Sequence, residues 1–165
     1  VGADVVCVGK GMSAGMPISA CVGTEAAMAG WGHSRGEAIH TSTFLGHPLG
    51  CAAALAVVSL FEDHALLSRA AALGAHMGAT LEALVGRDAR FKGVRGKGCL
   101  RGLEVAEGVV AYDICRRMRS RGFLVLPAGE EGEVVSFTPP LTMTRAQWDA
   151  AVRALEETAS AGAGG

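Results

Sequence analysis

"ADVVCVGKGMSAGMPISACVG", residues 3–23, sets one lysine between two glycines at the end of an apolar run. Asp4 to Val8 is a short β-branched run stopped by Gly9, and Ile18 to Val22 is a second run bounded by Pro17 and Gly23. Both read as buried strands. The chemistry of Lys10, placed where the first strand ends, decides what kind of protein this is.

A phosphate-binding P-loop requires Gly, four residues, then Gly-Lys-Ser/Thr. Here Asp4 stands five before Gly9 and Gly11 follows the lysine, so that pattern fails at both ends. Gly9-Lys-Gly11-Met-Ser-Ala14 formally fits a dinucleotide fingerprint. That reading needs a helix to begin at once, whereas Gly15 and Pro17 interrupt the turn and a strand resumes at Ile18. A third reading is a Schiff-base lysine, which suits the end of a rigid element, partly desolvated, with glycines leaving room for a flat ring. On residue types alone, a surface turn with a solvated cation is the commoner outcome.

Working outward, Thr24 can cap a short helix over 25–29, and residues 30–42 form a loop rich in Gly, Ser and His. Pro48 opens an apolar helix to Phe61 that should be buried. Residues 64–85 carry Leu66, Leu67, Ala70, Leu73, Met77, Leu81 and Leu84 at close to a 3.6 period, a long amphipathic helix ending at Gly86. From Phe91 the texture turns Gly-rich, "FKGVRGKGCLRGLEV", as for a strand pair. A helix over 112–121, strands over 123–126 and 134–137, and a last helix behind the capping box Thr144-Arg-Ala-Gln147 complete the chain. The pattern is α/β, with a boundary near residue 90 and a frayed tail over 161–165.

The 165 residues are 50% apolar and 19% charged with a net charge of −1, and the fifteen basic residues form no stripe. This disfavours nucleic-acid binding. No apolar run reaches the ~20 residues of a bilayer span. The five cysteines are widely spaced, with neither a Cys-x-x-Cys pair nor histidine ligand spacing, which argues against a disulfide framework and a metal site. The expectation is a soluble, cytoplasmic protein in a reducing compartment, and the absence of an initiator methionine reads as a piece cut from something longer.

A second motif bears on Lys10: "HTSTFLGHPLGCAAALA", residues 40–56, puts the hydroxyls of Thr41, Ser42 and Thr43 ahead of the helix that Pro48 starts. Hydroxyls and free amides at a helix start suit a phosphate dianion, although ordinary capping explains the stretch as well when it stands alone. A strand-end amine together with a phosphate site suggests pyridoxal 5'-phosphate, which offers one aldehyde and one phosphate.

These two stretches resemble the lysine block and the His-Gly-Ser/Thr-Thr-Phe-x-Gly-Asn-Pro block of the class-III, ornithine/4-aminobutyrate-type aminotransferases. "VRGKGCLRGLEV" and "VVSFTPPLTMT" are similar to that family's blocks in its C-terminal domain. The resemblance implies a fold-type I transferase, here as the C-terminal part of the large cofactor-binding domain (1–90) followed by a small α+β C-terminal domain (91–160). It gives Lys10 the Schiff base and the proton transfers, Thr43 and Ser42 the cofactor phosphate, and a homodimer in which the threonine serves the other subunit's site. Substrates would be an amino donor and a 2-oxo acid acceptor.

Thr41 replaces the family's usual Gly, His47 its usual Asn, and Ser136 an arginine common in the family, the last of which disfavours a glutamate/2-oxoglutarate pair. The alternatives are a same-fold aminomutase or lyase, a non-catalytic remnant, or, from another class, a nicotinamide-binding domain. His33, His40 and His47 read as solvated or capping, Glu104 as structural, and Arg95 and Arg101 as loop residues rather than carboxylate binders.

Overall fold

The computed structural model describes residues 2–62 and 64–160, so the tail over 161–165 lies outside the described residues. By packing, the chain divides into two compact units, Val1–His64 and Ala65–Gly165.

In the first unit, strand β1 (Val5–Val8) pairs antiparallel with β2 (Ala20–Gly23), Val5 opposite Gly23 and Val8 opposite Ala20. The Thr24 amide donates to the Asp4 carbonyl at 2.9 Å, which closes the ladder at its open end and fixes its register. Between the strands, Lys10–Ser13 forms a single 3-10 turn that the sequence pattern does not announce. Helix α1 (Glu25–Ala29) begins where expected, with Thr24 Oγ1 accepting from the Ala27 amide at 3.2 Å. Helix α2 (Pro48–Glu62) packs on the 3-10 turn. Gly50 is buried there, and a Cβ on it would meet the Ile18 side chain at 3.4 Å.

The expected burial of these elements is not met. Every residue of β1 is exposed, and α2 buries only Gly50 and Ala54, leaving Leu49 65% and Leu55 68% exposed. The reason is layer count: a two-stranded ribbon with a single neighbouring helix cannot cover both of its own faces, nor all sides of an all-apolar helix.

In the second unit, β3 (Phe91–Lys97), β4 (Leu100–Val105), β5 (Leu126–Ala128) and β6 (Val134–Phe137) form an antiparallel sheet in the order β3-β4-β6-β5. Helices α3 (His64–Val85), α4 (Ala111–Ser120) and α5 (Arg145–Ser160) join it in one core. Leu73, Met77, Leu81 and Leu84 of α3, Leu103 and Val135 of the sheet, Met118 of α4 and Leu155 of α5 are all buried within it. Because α3 supplies four of these side chains, packing places it with the sheet, ahead of the compositional change near residue 90.

Trp148 anchors α5. Its Nε1 donates to Thr80 Oγ1 at 2.7 Å and its ring meets Phe137 edge-on at 5.3 Å. The Thr144–Gln147 capping box forms: the Gln147 amide donates to Thr144 Oγ1 at 3.2 Å, and the Thr144 amide to Gln147 Oε1 at 2.8 Å.

The strand expected over 123–126 is displaced to Leu126–Ala128. Phe123 is held by the end of α4: its amide donates to Met118 O and that of Gly122 to Arg119 O, both at 3.0 Å, with Gly122 at φ +87°. That is a Schellman closure, whose left-handed position favours glycine. No single helix among the described residues is long and apolar enough to cross a membrane.

Candidate active site

Lys10 follows β1 by two residues and opens the 3-10 turn at φ +45°, a left-handed conformation that it shares, among the described non-glycine residues, only with Ala14 at φ +53°. Such backbone costs on the order of 1–3 kcal/mol and persists where the surroundings impose it. Ser13, 1% exposed, closes the turn by donating its hydroxyl to the Met16 carbonyl. The turn therefore fixes the direction in which the Lys10 side chain leaves the chain. Lys10 itself is exposed, so the partly desolvated position expected of it is not supplied by the described residues.

Lys10 lines a cavity of about 850 Å³ within the first unit, walled by Val8 and Gly9 of the lysine block, Pro17 to Cys21, Met28 and Trp31. The loop before α2 closes the opposite side with His40, Ser42 and Phe44 to Gly46. The fold thus joins two stretches some thirty residues apart in sequence, and Lys10 and Ser42 line one cavity. Thr43 is exposed and stands outside that lining, although it adjoins Ser42. A Cβ on Gly11 would meet nothing within 4 Å, and one on Gly9 only Ser19 Cβ at 3.6 Å. The described residues do not themselves demand the flanking glycines.

The start of α2 is built differently from the sequence expectation. His47, not a hydroxyl residue, is its cap: His47 Nδ1 accepts from the Gly50 amide at 3.3 Å and His47 O from the Cys51 amide at 2.9 Å. With Pro48 offering no N–H, most of the first-turn amides are already engaged, and any phosphate contact falls to the preceding loop. The side-chain acceptor explains why histidine can stand where an asparagine is usual, since both caps accept from the same amide. His40 meets Trp31 edge-on at 5.8 Å. Among the described residues no group of three or more His, Cys, Asp or Glu could hold a metal ion.

In the second unit, Ser136 pairs with Gly102 and Leu126 on β6 and lines a smaller cavity of about 470 Å³ with Tyr112, Arg116, Arg119 and Thr138. Arg101 is structural. It donates to Gly98 O and Gly74 O at 2.9 Å and to Gly96 O at 3.1 Å, tying α3 to the β3–β4 turn. Arg95 pairs with Glu104 at 3.3 Å and Glu133 at 3.4 Å, so Glu104 is structural too.

Residues 1–159 match the family model described as aminotransferase class-III. An acetylornithine aminotransferase of Gloeobacter violaceus is 38% identical over 157 residues, 93% of this chain and 36% of that protein. Among solved structures, an amine transaminase from an uncultivated Pseudomonas species in its PLP-bound form shares 32% identity at a TM-score of 0.82, covering 96% of this chain and 38% of that one. A phospholyase from Arthrobacter, in complex with phosphoethanolamine, shares 29% identity at a TM-score of 0.85, covering 97% and 39%. The chain spans about a third of the length of the curated relatives it matches.

Proposed function

This chain belongs to the class-III aminotransferases, with their fold-type I, α/β architecture, and on that footing we propose that it is the lysine-bearing part of a pyridoxal phosphate-dependent transaminase. In this reading it moves an amino group between an amino acid or amine and a 2-oxo acid. The observation that carries the reading is the convergence of Lys10 and Ser42 on one cavity.

The residues fit the group. A lysine and a hydroxyl residue line a volume within the ~300–1,000 Å³ of small-molecule sites, walled largely by apolar side chains. Bound, the cofactor supplies an electrophilic carbon and an electron sink. Lys10 Nζ would hold it, and the same amine would take and return a proton at the substrate carbon. Ser42 Oγ donates to the phosphate. Thr43, exposed beside it, presents its hydroxyl to the site of a second copy in a homodimer. We assign the first unit to the cofactor-binding large domain and the second to the small α+β domain with the helix leading into it.

A same-fold lyase is the second reading, favoured by the likeness to the phospholyase. Product analysis separates the two: a transaminase converts a 2-oxo acid into an amino acid, whereas a lyase releases a leaving group without consuming an acceptor.

The chain contains three lysines, Lys10, Lys92 and Lys97, which makes the cofactor test direct. Incubation with pyridoxal phosphate, borohydride reduction and peptide mapping should place the label on Lys10 at concentrations that leave Lys92 and Lys97 unmodified. Equal labelling of all three, with and without the remainder of a class-III enzyme supplied in trans, would refute the assignment.

A further inference from the structure

The strand pair that delivers Lys10 also joins two cysteines. Cys7 and Cys21 are direct cross-strand partners, and their sulfurs lie 4.0 Å apart. The Thr24-to-Asp4 bond makes Asp4/Thr24 a hydrogen-bonded pair. Pair type alternates along an antiparallel ladder, so Val5/Gly23 is non-hydrogen-bonded, Val6/Val22 hydrogen-bonded and Cys7/Cys21 again non-hydrogen-bonded. In such pairs the Cα atoms stand ~4.5 Å apart with both side chains on one face, within the ~4.4–6.8 Å that a disulfide spans. Side-chain rotation alone can then bring the sulfurs together.

Both thiols are exposed, whereas Cys99 and Cys115 are buried and desolvation pushes their thiols up. Thiolates are the reacting form, so these two are the poor competitors. The hydrogen bond shared with Cys7 raises the Cys21 thiol, with slight desolvation and the Cys7 charge adding to it, which suits Cys21 to the second step.

We infer that Cys7 and Cys21 form a reversible oxidation site that takes low-molecular-weight disulfides. The Cys7 thiolate attacks one sulfur of the small disulfide and expels one small thiolate, leaving a mixed disulfide. Cys21, deprotonated by solvent, attacks the Cys7 sulfur and expels the second. The two cysteines are oxidised, the small disulfide is reduced to two thiols, and the two protons given up by the cysteines end on those thiols. Both cysteines line the cavity that holds Lys10, and Cys7 precedes Lys10 by three residues, so the oxidised pair re-forms one wall of that cavity. The inference stands independently of the cofactor assignment.

The probe is hydroxyethyl disulfide added to the reduced full chain, followed by acid quench, alkylation and tryptic mapping. Cleavage after Lys10 and Arg35 separates the two cysteines into peptides 1–10 and 11–35. The expected result is loss of two free thiols and appearance of these peptides joined, reversed by reductant. Cys7→Ser and Cys21→Ser should each abolish the linkage and leave the remaining cysteine as the mixed adduct. In strong urea the preference for this pair should vanish, with linkages spread over the five cysteines. Stable mixed adducts on both Cys7 and Cys21, a preferred linkage through Cys51, or an unchanged preference in urea would each overturn the inference.

Discussion

Gly74→Ala tests the close approach of α3 to the β3–β4 turn. A Cβ at Gly74 would stand 2.6 Å from Gly98 C, 2.7 Å from its Cα and 2.8 Å from its O, all backbone atoms. Gly98 is itself held at φ +58°, and Arg101 fastens the contact by donating to both Gly98 O and Gly74 O. By helix propensity alone the substitution gains ~1 kcal/mol. Overpacking against an immobile neighbour costs roughly 1–3 kcal/mol. Loosening the charged Arg101 bond to Gly74 O removes a further ~1.5–3 kcal/mol. The net expectation is a loss of roughly 1.5–5 kcal/mol, opposite in sign to propensity. Gly78→Ala, one turn along α3, meets the Arg101 guanidinium, with Nη2 at 3.0 Å, and no backbone atom, so it should cost less than Gly74→Ala. Urea unfolding followed by Trp148 fluorescence in a Trp31→Phe background reports the second unit by itself, because these are the two tryptophans. With a slope of ~1–3 kcal/mol per molar, the midpoint should fall by about 1–2 M for Gly74→Ala and by less for Gly78→Ala. A Gly74→Ala midpoint at or above the wild type would refute the reasoning.

The cap on α2 makes a second prediction: His47→Ala should weaken the helix start by ~1 kcal/mol and His47→Asn should restore it, read as hydrogen exchange at the Gly50 amide. Asp88 makes a third. The hydrogen bonds from the Arg90 guanidinium, outweighing partial burial, hold its carboxyl below the usual range, so its folded value is lower than its unfolded one. That contribution is present above the unfolded value of ~3.9 and is lost as pH falls through the lower folded value. Asp88→Asn should therefore lower stability at neutral pH and flatten the acid limb of the unfolding midpoint; an acid limb as steep as the wild type's would count against the pair.

Elements were legible wherever the information is local. The period of Leu73, Met77, Leu81 and Leu84, the Thr24 cap and the Thr144 box each lie within one or two turns of chain, and each appears in place. What escaped the sequence depends on partners distant in the chain. Phe123 has strand character, yet the Schellman closure of α4 claims its amide. Cys7 and Cys21 are fourteen residues apart and meet only because the Asp4–Thr24 bond sets the register. Arg101 sits in a Gly-rich stretch that suggests a solvated loop, but its three carbonyl acceptors come from the β3–β4 turn and α3. Lys10 stands out only together with the hydroxyl run over 41–43, since its flanking glycines alone fit a surface turn, and the 3-10 turn that it opens was not legible because no periodicity marks a single turn. Ser42 could be named from the hydroxyl run, and only the fold shows that it, rather than its neighbour Thr43, shares the cavity with Lys10.

The two units differ in a way that bears on chemistry. The second closes a core in which Leu103, Val135 and Leu155 are fully buried, whereas the first leaves Val5, Val6, Val8 and Val22 exposed on the very ribbon that carries Lys10. Val6, Val8 and Val22 share the face opposite Cys7 and Cys21; apolar residues at such density encode a covered face, and each buried aliphatic side chain is worth ~1.5–3 kcal/mol, so the ribbon's own stability depends on what covers that face. The same covering governs the amine. A lysine that works as nucleophile and base needs water excluded around it, and electrostatic interactions in its site strengthen only when water leaves. Since the described residues leave Lys10 exposed, the element that would desolvate it and the element that would bury Val6 and Val8 have to approach the same strand end. Under the proposed function, folding of the first unit and desolvation of Lys10 are then one event. Labelling of Lys10 by pyridoxal phosphate should accordingly rise in step with protection of the β1 amides as the remainder of the enzyme is titrated in, and labelling that saturates while those amides still exchange freely would show that the two are separate.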